Sequence, residues 1–480
     1  MKMKFTRFVM FLLMVMRNRK FNKFALVAFI SLISSIGIKC FADNPIIQTN
    51  YTADPAPMVY NDTVFLYTGH DEDDATGFKM QNWMLYTSTD MVNWTDHGVI
   101  ASLKDFKWVN TDNGAWAPQC IRRNNKFYMY CPMPSGVGIG VLVSDSPYGP
   151  FKDPIGKALI KNGPQDIDPT ILIDDDGQAY LYWGNPELWY VKLNEDMISC
   201  STDPKKMPEF VKVKGEKDPF HYQEGPWVWK RNGHYYMAYA STCCPEGIGY
   251  AMGTSPTGPW EYKGMIMEGD QRSSGNHPGI IDYKGKPYVF GFNYAILKQT
   301  MSKHYERRSI CVEQFSYNAD GTIQLLPFWS TTGVKQLGSM NPYKRTEAET
   351  MAYSEGIKTD VVTEWERNES WNKGKKIADR VFVTSIHNGD YIKVQGVDFS
   401  KGVASVDVCV ASLKGGKIEI HTDKIDGSLL GTINITTSGE GDSWKTITTP
   451  LNNIKGIHDL YFVFKGEKEL FNFDWWKFNI

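Results

Sequence analysis

The chain has 480 residues, a formal net charge of −2 at pH 7 and 14% aromatic residues, including 15 tryptophans. This nearly neutral balance, without basic runs beyond residue 42, argues against a nucleic-acid partner. Helix-period patterning is scarce after residue 45, whereas short runs of Tyr, Phe, Val and Ile recur between Asn-Gly and Asp-Gly turns, so we expect an all-β protein.

The first 42 residues have the pattern of a signal peptide. A basic stretch over residues 17–23 precedes an apolar run over residues 24–38, and Cys40-Phe41-Ala42 fits a signal-peptidase site. The apolar run is too short for a confident membrane span. We therefore expect a secreted or periplasmic protein whose mature chain has no membrane span.

An aromatic strand follows a turn five times along the chain, at intervals of 52 to 63 residues. The aromatic residues of these strands are Phe65, Tyr128, Tyr180, Tyr236 and Tyr288. A period of this length is typical of four-stranded blades arranged around a channel. We predict that these residues belong to blade cores and that residues 43–330 form a five-bladed β-propeller.

A Pro-containing segment begins 11 or 12 positions before each of these aromatic residues. The segments begin with Asp54, Trp116, Asp168, Glu224 and His277. A purely structural position that recurs five times normally keeps one small or apolar residue type, which this position does not. If the blades are related by rotation, all five side chains face one axis, and we expect them to line a central funnel.

The three carboxylates of this set predict acid–base chemistry. Hydrolysis of a glycosidic bond with inversion needs one carboxylate to activate water and one carboxylic acid to protonate the leaving oxygen, about 6.5–9.5 Å apart. A third carboxylate can raise the pKa of the acid by like-charge repulsion. Cys/His spacings typical of zinc sites are absent from the sequence, and we expect no organic cofactor.

The same segments resemble those of glycoside hydrolase family 43. The resemblance covers residues 45–330 and is carried by Asp54-Pro55, Trp116-Ala117-Pro118, Asp168-Pro169-Thr170, Glu224-Gly225-Pro226-Trp227 and Asn276-His277-Pro278. It implies an inverting glycosidase on a five-bladed propeller. In this family pattern Asp54 is the general base, Glu224 the general acid, and Asp168 the residue that adjusts the pKa of the acid.

The resemblance also implies three further roles. Trp116 would line the sugar subsite, and His277 would lie near an ion, often calcium, at the propeller axis. Arg307, in Arg307-Arg308-Ser309, resembles an arginine of the last blade that faces the substrate, although a salt bridge on the strand surface is an equal alternative.

The pattern changes after Trp329. Residues 331–344 read as a linker, and residues 345–480 show strict alternation of apolar and polar residues, as in Val406-Asp407-Val408, which predicts a β-sandwich of the jelly-roll type. First and last strands often pair in such folds. The acids Glu347 and Glu349 at its start and Asp474 at its end are therefore expected to meet at a calcium site.

This second region resembles carbohydrate-binding module family 6 in Glu347-Ala348-Glu349, Asn388-Gly389-Asp390-Tyr391-Ile392, Trp444-Lys445-Thr446 and Asn472-Phe473-Asp474-Trp475. That family usually holds a sugar between two aromatic rings. The equivalent positions fall here on Ser385 and near Gly441-Asp442, so only Asn472 of the cleft remains. The sequence is equally consistent with a sugar-binding domain and with a mainly structural sandwich.

Together the two resemblances imply release of α-L-arabinofuranosyl side chains from arabinoxylan, with a polysaccharide or oligosaccharide as the partner. β-Xylosidase action on xylo-oligosaccharides is the alternative within the family. A non-catalytic sugar-binding propeller is the alternative of another class, but it would not need three acids in register. A retaining fructan-type hydrolase is disfavoured, because Ala53-Asp54-Pro55 replaces its Asn-Asp-Pro-Asn-Gly opening.

The cysteines beyond residue 42 are dispersed and odd in number, which argues against a disulfide framework. Cys120 and Cys131 flank one hairpin and are candidates for a pair across it. Cys243 and Cys244 are adjacent near the predicted funnel mouth. For each of these cysteines the simplest interpretation is a buried free thiol.

Overall fold

The computed structural model describes residues 43–210, 218, 220–270, 276–365, 376–412, 414–437, 444–467 and 469–480. The predicted signal peptide, residues 1–42, lies outside the described residues. No helix in the described part of the chain is long and apolar enough to cross a membrane. The described residues form an all-β structure, and one short α-helix, α1 (Ala295–Thr300), lies among them.

The first part of the described chain folds into five successive antiparallel sheets. Their strands are β1 (Tyr51–Tyr60), β2 (Thr63–Asp71), β3 (Asn82–Ser88) and β4 (Trp94–Ser102); β5 (Gln119–Arg123), β6 (Lys126–Pro132) and β7 (Ile139–Ser144); β8 (Thr170–Ile173), β9 (Ala179–Trp183), β10 (Trp189–Leu193) and β11 (Lys205–Lys206); β12 (Tyr222–Arg231), β13 (His234–Ser241), β14 (Gly247–Gly253) and β15 (Trp260–Met267); and β16 (Gly279–Tyr283), β17 (Lys286–Asn293) and β18 (Ser309–Gln314).

The first two strands of each sheet form a hairpin with a tight turn. At Asn61-Asp62 both turn residues have positive φ, 48° and 57°, and at Asn232-Gly233 the values are 49° and 80°. Such turns match the twist of the paired strands, and Asn, Asp and Gly tolerate that backbone best. The repeated aromatic residues all lie on the second strand of their sheet and are buried: Phe65, Tyr128, Tyr180, Tyr236 and Tyr288.

The C-terminal part forms two packed sheets, as predicted for a sandwich. One sheet contains β22 (Lys358–Trp365), β23 (Lys376–Thr384), β30 (Asn472–Asn479), β25 (Ser405–Ala411) and β28 (Lys445–Pro450), with β19 (Thr346–Glu347) paired to β30. The other contains β21 (Tyr353–Glu355), β24 (Tyr391–Asp398), β29 (Ile457–Lys465), β26 (Gly416–Thr422) and β27 (Ser428–Ile435). Alternate residues of both sheets fill one apolar core that includes Val408, Ile420, Phe462 and Trp476.

The sandwich is joined to the first N-terminal sheet by strand pairing. Strand β20 (Thr350–Met351) pairs with β4, so that this sheet has five strands. Asn93 donates to the carbonyl of Gln395 and accepts the amide N–H of the same residue, at 3.0 and 2.9 Å. Residues 331–344, predicted as a linker, are fixed here as well, because the buried Gln336 donates to Asp90.

Candidate active site

The five residues that begin the repeated segments come together. Asp54, Trp116, Asp168, Glu224 and His277 line one pocket, and a smaller cavity beside it is lined by the prolines of all five segments: Pro55, Pro118, Pro169, Pro226 and Pro278. The five segments therefore approach one axis, as their common register indicated.

The backbone at the pocket has left-handed φ values at residues of types that tolerate them. Asp54 and Asp168 both have left-handed φ values, 52° and 58°, which Asp tolerates better than most residues. Gly225 has a φ of 60°, and a Cβ there would lie 3.0 Å from the ring of His277. Bulges in β1 and β12 break the strand register around Asp54 and Glu224 and turn their side chains inwards. Strained backbone of this kind is typical of functional sites.

His277 lies at the centre of the carboxylates. Its Nδ1 is 3.5 Å from Asp54 Oδ1, and its Nε2 is 3.1 Å from Glu224 Oε1 and 3.6 Å from Asp168 Oδ2. Burial lowers the pKa of His277, but Asp168, Asp54 and Glu224 outweigh that effect and raise the pKa to about 10. The ring is therefore a cation at neutral pH.

The pKa values of Asp168 and Glu224 shift in opposite directions. Burial raises the pKa of Asp168 to about 7, and the negative charges of Glu224 and Asp54 contribute to the rise against the opposing charge of His277. Burial also favours the neutral form of Glu224, but contact with His277 holds its pKa below the ordinary value. Because Asp168 and Glu224 both lie against His277, they titrate as a coupled pair. From the sequence we expected a raised pKa for Glu224; in the structure the pKa of Asp168 is raised and that of Glu224 is lowered.

Arg308 connects the pocket to its wall. Its Nη1 donates to Asp54 Oδ1 at 2.8 Å, and its backbone N, Nε and Nη2 donate to the fully buried Asp71 at 2.8, 3.0 and 2.9 Å. The predicted residue was Arg307, but Arg307 does not line the pocket. Its Nε donates to the carbonyl of Ala75 at 2.9 Å, outside the residues that line the pocket.

The pocket has a volume of about 170 Å³ and an aromatic wall. The rings of Trp116 and Phe78 meet edge to face, 6.0 Å apart, and both residues line the pocket. Asn185 donates its side-chain N–H to Glu224 Oε2. Phe78, Asn185 and Arg308 were not predicted from the sequence as site residues, because they lie outside the five repeated segments.

The residues around His277 do not fit calcium as direct ligands. Calcium takes six to eight oxygen ligands. Here both ring nitrogens of His277 face carboxylates. Asp168, Glu224 and His277 offer two carboxylates and one ring nitrogen within 4.8 Å of one another, which is well short of a calcium shell. The chemistry below therefore uses no ion at this point.

The three acids predicted to form a calcium site in the sandwich have different surroundings. Glu349 and Asp474 are buried, and Glu349 Oε2 and Asp474 Oδ1 have no hydrogen-bond partner among the described residues. Burial raises the pKa of Glu349 well above its usual range, and burial also raises the pKa of Asp474. Glu347 instead accepts two hydrogen bonds from Arg345 at 2.8 and 2.7 Å. Asp474 lies near Arg345 and Arg380, at 3.8 and 3.7 Å, and calcium binding by these acids stays a prediction.

The sugar cleft predicted for the sandwich is only partly described. Asn472 Oδ1 accepts a hydrogen bond from Thr384 at 2.8 Å, and Ser385 has a φ of 56°. Gly441 and Asp442 lie outside the described residues. Sugar binding by this cleft stays a prediction.

The cysteines near the pocket end of β13 differ from the expectation. Cys243 and Cys244 are exposed and joined by a disulfide across one peptide bond, rather than being buried thiols. Cys120 and Cys131 are buried free thiols and do not pair across their hairpin.

An antiparallel β-fold with three carboxylates in one pocket, followed by a two-sheet sandwich, defines the class of glycosidases that work by acid–base chemistry. The model of the family "Glycosyl hydrolases family 43" matches residues 42–323, and that of "Carbohydrate binding module (family 6)" matches residues 347–480. The chain belongs to glycosyl hydrolase family 43 and is a glycosidase.

Known relatives are similar over most of the chain. An arabinoxylan arabinofuranohydrolase of Bacillus subtilis (strain 168) is 33% identical over 91% of this chain and 92% of its own. The crystal structure of a family 43 arabinoxylan arabinofuranohydrolase from Bacillus subtilis in complex with cellotetraose has a TM-score of 0.76, with 31% identity over 91% of this chain and 97% of the other.

A third relative is similar over a smaller share of this chain. It is a β-xylosidase/α-arabinofuranosidase from a compost microbial metagenome, solved with xylotriose in a calcium-free form. Its TM-score is 0.52 and its identity 27%, over 60% of this chain and 97% of the other.

Proposed function

We propose that this protein is a secreted, inverting glycoside hydrolase that releases α-L-arabinofuranosyl side chains from arabinoxylan or its oligosaccharides. The observation that carries the proposal is the meeting of Asp54, Asp168 and Glu224 around His277 in one pocket. We further propose that the five N-terminal sheets are the blades of a five-bladed propeller, because the prolines of all five segments line one cavity.

The roles follow from the contacts of each acid. Asp54 accepts from Arg308 and lies 3.5 Å from His277, and these contacts hold its carboxylate in place as the general base. Glu224 is partly exposed in the pocket and is the general acid that protonates the leaving oxygen. Asp168 is buried beside it, and because the two negative charges repel each other the pair keeps one proton. Glu224 carries this proton when the substrate is bound and transfers it to the leaving oxygen as the glycosidic bond breaks.

The position of His277 supports inversion. Its two ring nitrogens point in diverging directions, one to Asp54 and the other to Glu224. Carboxylates held at the two nitrogens of one imidazole ring are expected to stand farther apart than the about 5–5.5 Å of a retaining pair. That separation leaves room for a water molecule between Asp54 and the sugar, on the face opposite the leaving group.

The size of the pocket supports action on a single terminal sugar. Its volume of about 170 Å³ is well below the roughly 300–1,000 Å³ of ordinary ligand pockets. The relatives similar over most of the chain are called arabinoxylan arabinofuranohydrolases, which favours an arabinofuranosyl unit. β-Xylosidase action is the second candidate, favoured by the β-xylosidase/α-arabinofuranosidase similar to the N-terminal part.

The test is a substrate comparison on the purified chain without residues 1–42. Release of p-nitrophenol from the α-L-arabinofuranoside and the β-D-xyloside is measured first, followed by sugar release from arabinoxylan and from linear xylo-oligosaccharides. We expect arabinose from arabinoxylan and little xylose from linear oligosaccharides. The reverse ratio supports the xylosidase alternative, and Glu224→Gln, assayed alongside, shows that the activity belongs to this site.

A further inference from the structure

The first two residues of strand β22 in the sandwich touch the two parts of the first sheet that build the pocket. Lys358 Nζ lies 2.8 Å from both carboxylate oxygens of Asp73, in the segment between β2 and β3. Thr359 Oγ1 donates to Asp96 at 2.8 Å. The sandwich therefore contacts the active-site end of this sheet as well as its outer strand.

The segment that Lys358 holds is a wall of the pocket. It runs over residues 71–80 and carries Asp71, which binds Arg308, and Phe78, which lines the pocket although its side chain is 52% exposed. Within it, the amide N–H of Glu72 donates to the carbonyl of Lys79 at 3.0 Å. An exposed ring on such a segment depends on the segment's anchors for its position.

The acids of this segment have separate cationic partners. Asp71 binds Arg308 of the pocket, and Asp74 binds Lys79 of the same segment. The partner of Asp73 is Lys358, which comes from the sandwich. This ion pair joins the pocket wall to the second domain.

The second contact reaches the start of β1. Asp96 is fully buried, and burial raises its pKa, so each of its hydrogen bonds matters for its placement. Besides Thr359, it accepts from the side chain of Asn50 at 3.2 Å, and Asn50 also donates to Thr359 Oγ1 at 3.2 Å. Asn50 is four residues before Asp54, so this cluster anchors the strand that carries the proposed general base.

We propose that Lys358 and Thr359 are positioning residues of the active site, and that the sandwich serves the reaction by fixing the wall that carries Phe78 and the strand that carries Asp54. The proposal rests on the glycosidase site proposed above. It assigns to the sandwich a role that does not require the sandwich to bind sugar.

The expected effect on activity is modest for Lys358, because the ion pair is partly exposed and water screens it. In Lys358→Met we expect KM for an arabinoxylan oligosaccharide to rise about two- to five-fold, with kcat within two-fold of wild type. Lys358→Arg keeps the charge and is expected to restore most of the difference. Thr359→Val leaves Asp96 short of a donor and is expected to lower kcat as well.

The structure offers matched controls. Lys393 also makes an ion pair across the interface, with Asp43 at 2.9 Å, away from the residues that line the pocket. Thr350 exchanges a hydrogen bond with Thr95 across the strand pair, at 2.8 Å. Lys393→Met and Thr350→Val should therefore affect stability as the test variants do, but leave KM and kcat unchanged.

Hydrogen exchange of the full chain tests the positioning directly, without any substrate. We expect the amides of residues 72–80 to exchange at least three-fold faster in Lys358→Met than in wild type, and at the wild-type rate in Lys393→Met. Equal exchange in both variants, or equal rises of KM in both, would overturn the proposal. A wild-type protein that cleaves no glycoside would instead refute the proposed function, and the exchange result would still decide whether the sandwich holds this wall.

Discussion

Arg308 donates from its Nη1 to Oδ1 of Asp54 across 2.8 Å, at the point where the last N-terminal sheet meets the first. The guanidinium also binds the fully buried Asp71. One side chain thus ties the proposed general base to the segment that forms the pocket wall. Its neighbour Arg307 is equally buried but turned away from the pocket.

This pair of arginines gives a test within one dipeptide. We expect Arg308→Lys to lower kcat/KM by about 10²-fold, because lysine cannot make the forked contacts to both acids. Arg307→Lys should change kcat/KM by less than about five-fold. Thermal unfolding of both variants separates loss of fold from loss of chemistry, and equal kinetic losses would show that Arg308 has no special role.

The proposed roles of the two flanking acids predict different responses to the leaving group. Asp54→Asn and Glu224→Gln should each lower the rate on arabinoxylan by about 10²–10⁴-fold. On aryl arabinofuranosides the leaving phenolate needs little protonation, so Glu224→Gln should recover part of its rate and Asp54→Asn should not. A Glu224→Gln enzyme with nearly normal rate on the polysaccharide would remove Glu224 from its role.

The pKa values predict the alkaline limb of the pH profile. The coupled pair must hold one proton for the reaction, and the pKa of Asp168 is about 7. Activity should therefore be retained below pH 7 and fall as the pH rises through about 7. Asp168→Asn removes a negative charge beside Glu224, which lowers the pKa of Glu224 and should move this limb to lower pH. The measurement is kcat/KM against pH for both proteins, and an unchanged limb in Asp168→Asn contradicts the coupling.

Calcium at the sandwich predicts an effect on stability rather than on chemistry. We expect a chelator to lower the unfolding temperature by several degrees, since a ligand at 100 times its Kd adds about 2.7 kcal/mol. Glu349→Gln should abolish this effect of the chelator on the unfolding temperature. Glu347→Gln should retain most of it, because Glu347 pairs with Arg345. An unfolding temperature that is indifferent to both calcium and chelator in the wild type argues against a calcium site here.

Much of the site was predictable because its residues share a register. Asp54, Trp116, Asp168, Glu224 and His277 each begin a segment at a fixed distance from a buried aromatic residue, and that regularity survives in the sequence. The sandwich was predictable from strict alternation. These features depend on local periodicity, which a sequence records directly.

Other features depend on contacts between distant segments. Asp71 is buried because Arg308, 237 positions later, binds it. Arg307 and Arg308 could not be distinguished because the strand β18 begins only at Ser309, so alternation does not fix their sides. The disulfide of Cys243 and Cys244 carries no periodic signal at all.

The stereochemistry of hydrolysis tests the central claim most directly, since that claim is acid–base hydrolysis by Asp54 and Glu224 on opposite sides of His277. Proton NMR of the first sugar released from an α-L-arabinofuranoside, recorded before mutarotation, reports the anomeric configuration of the product. We predict a β-configured first product, the result of a single displacement by water. An α-configured first product would show retention through a covalent intermediate and would contradict the account.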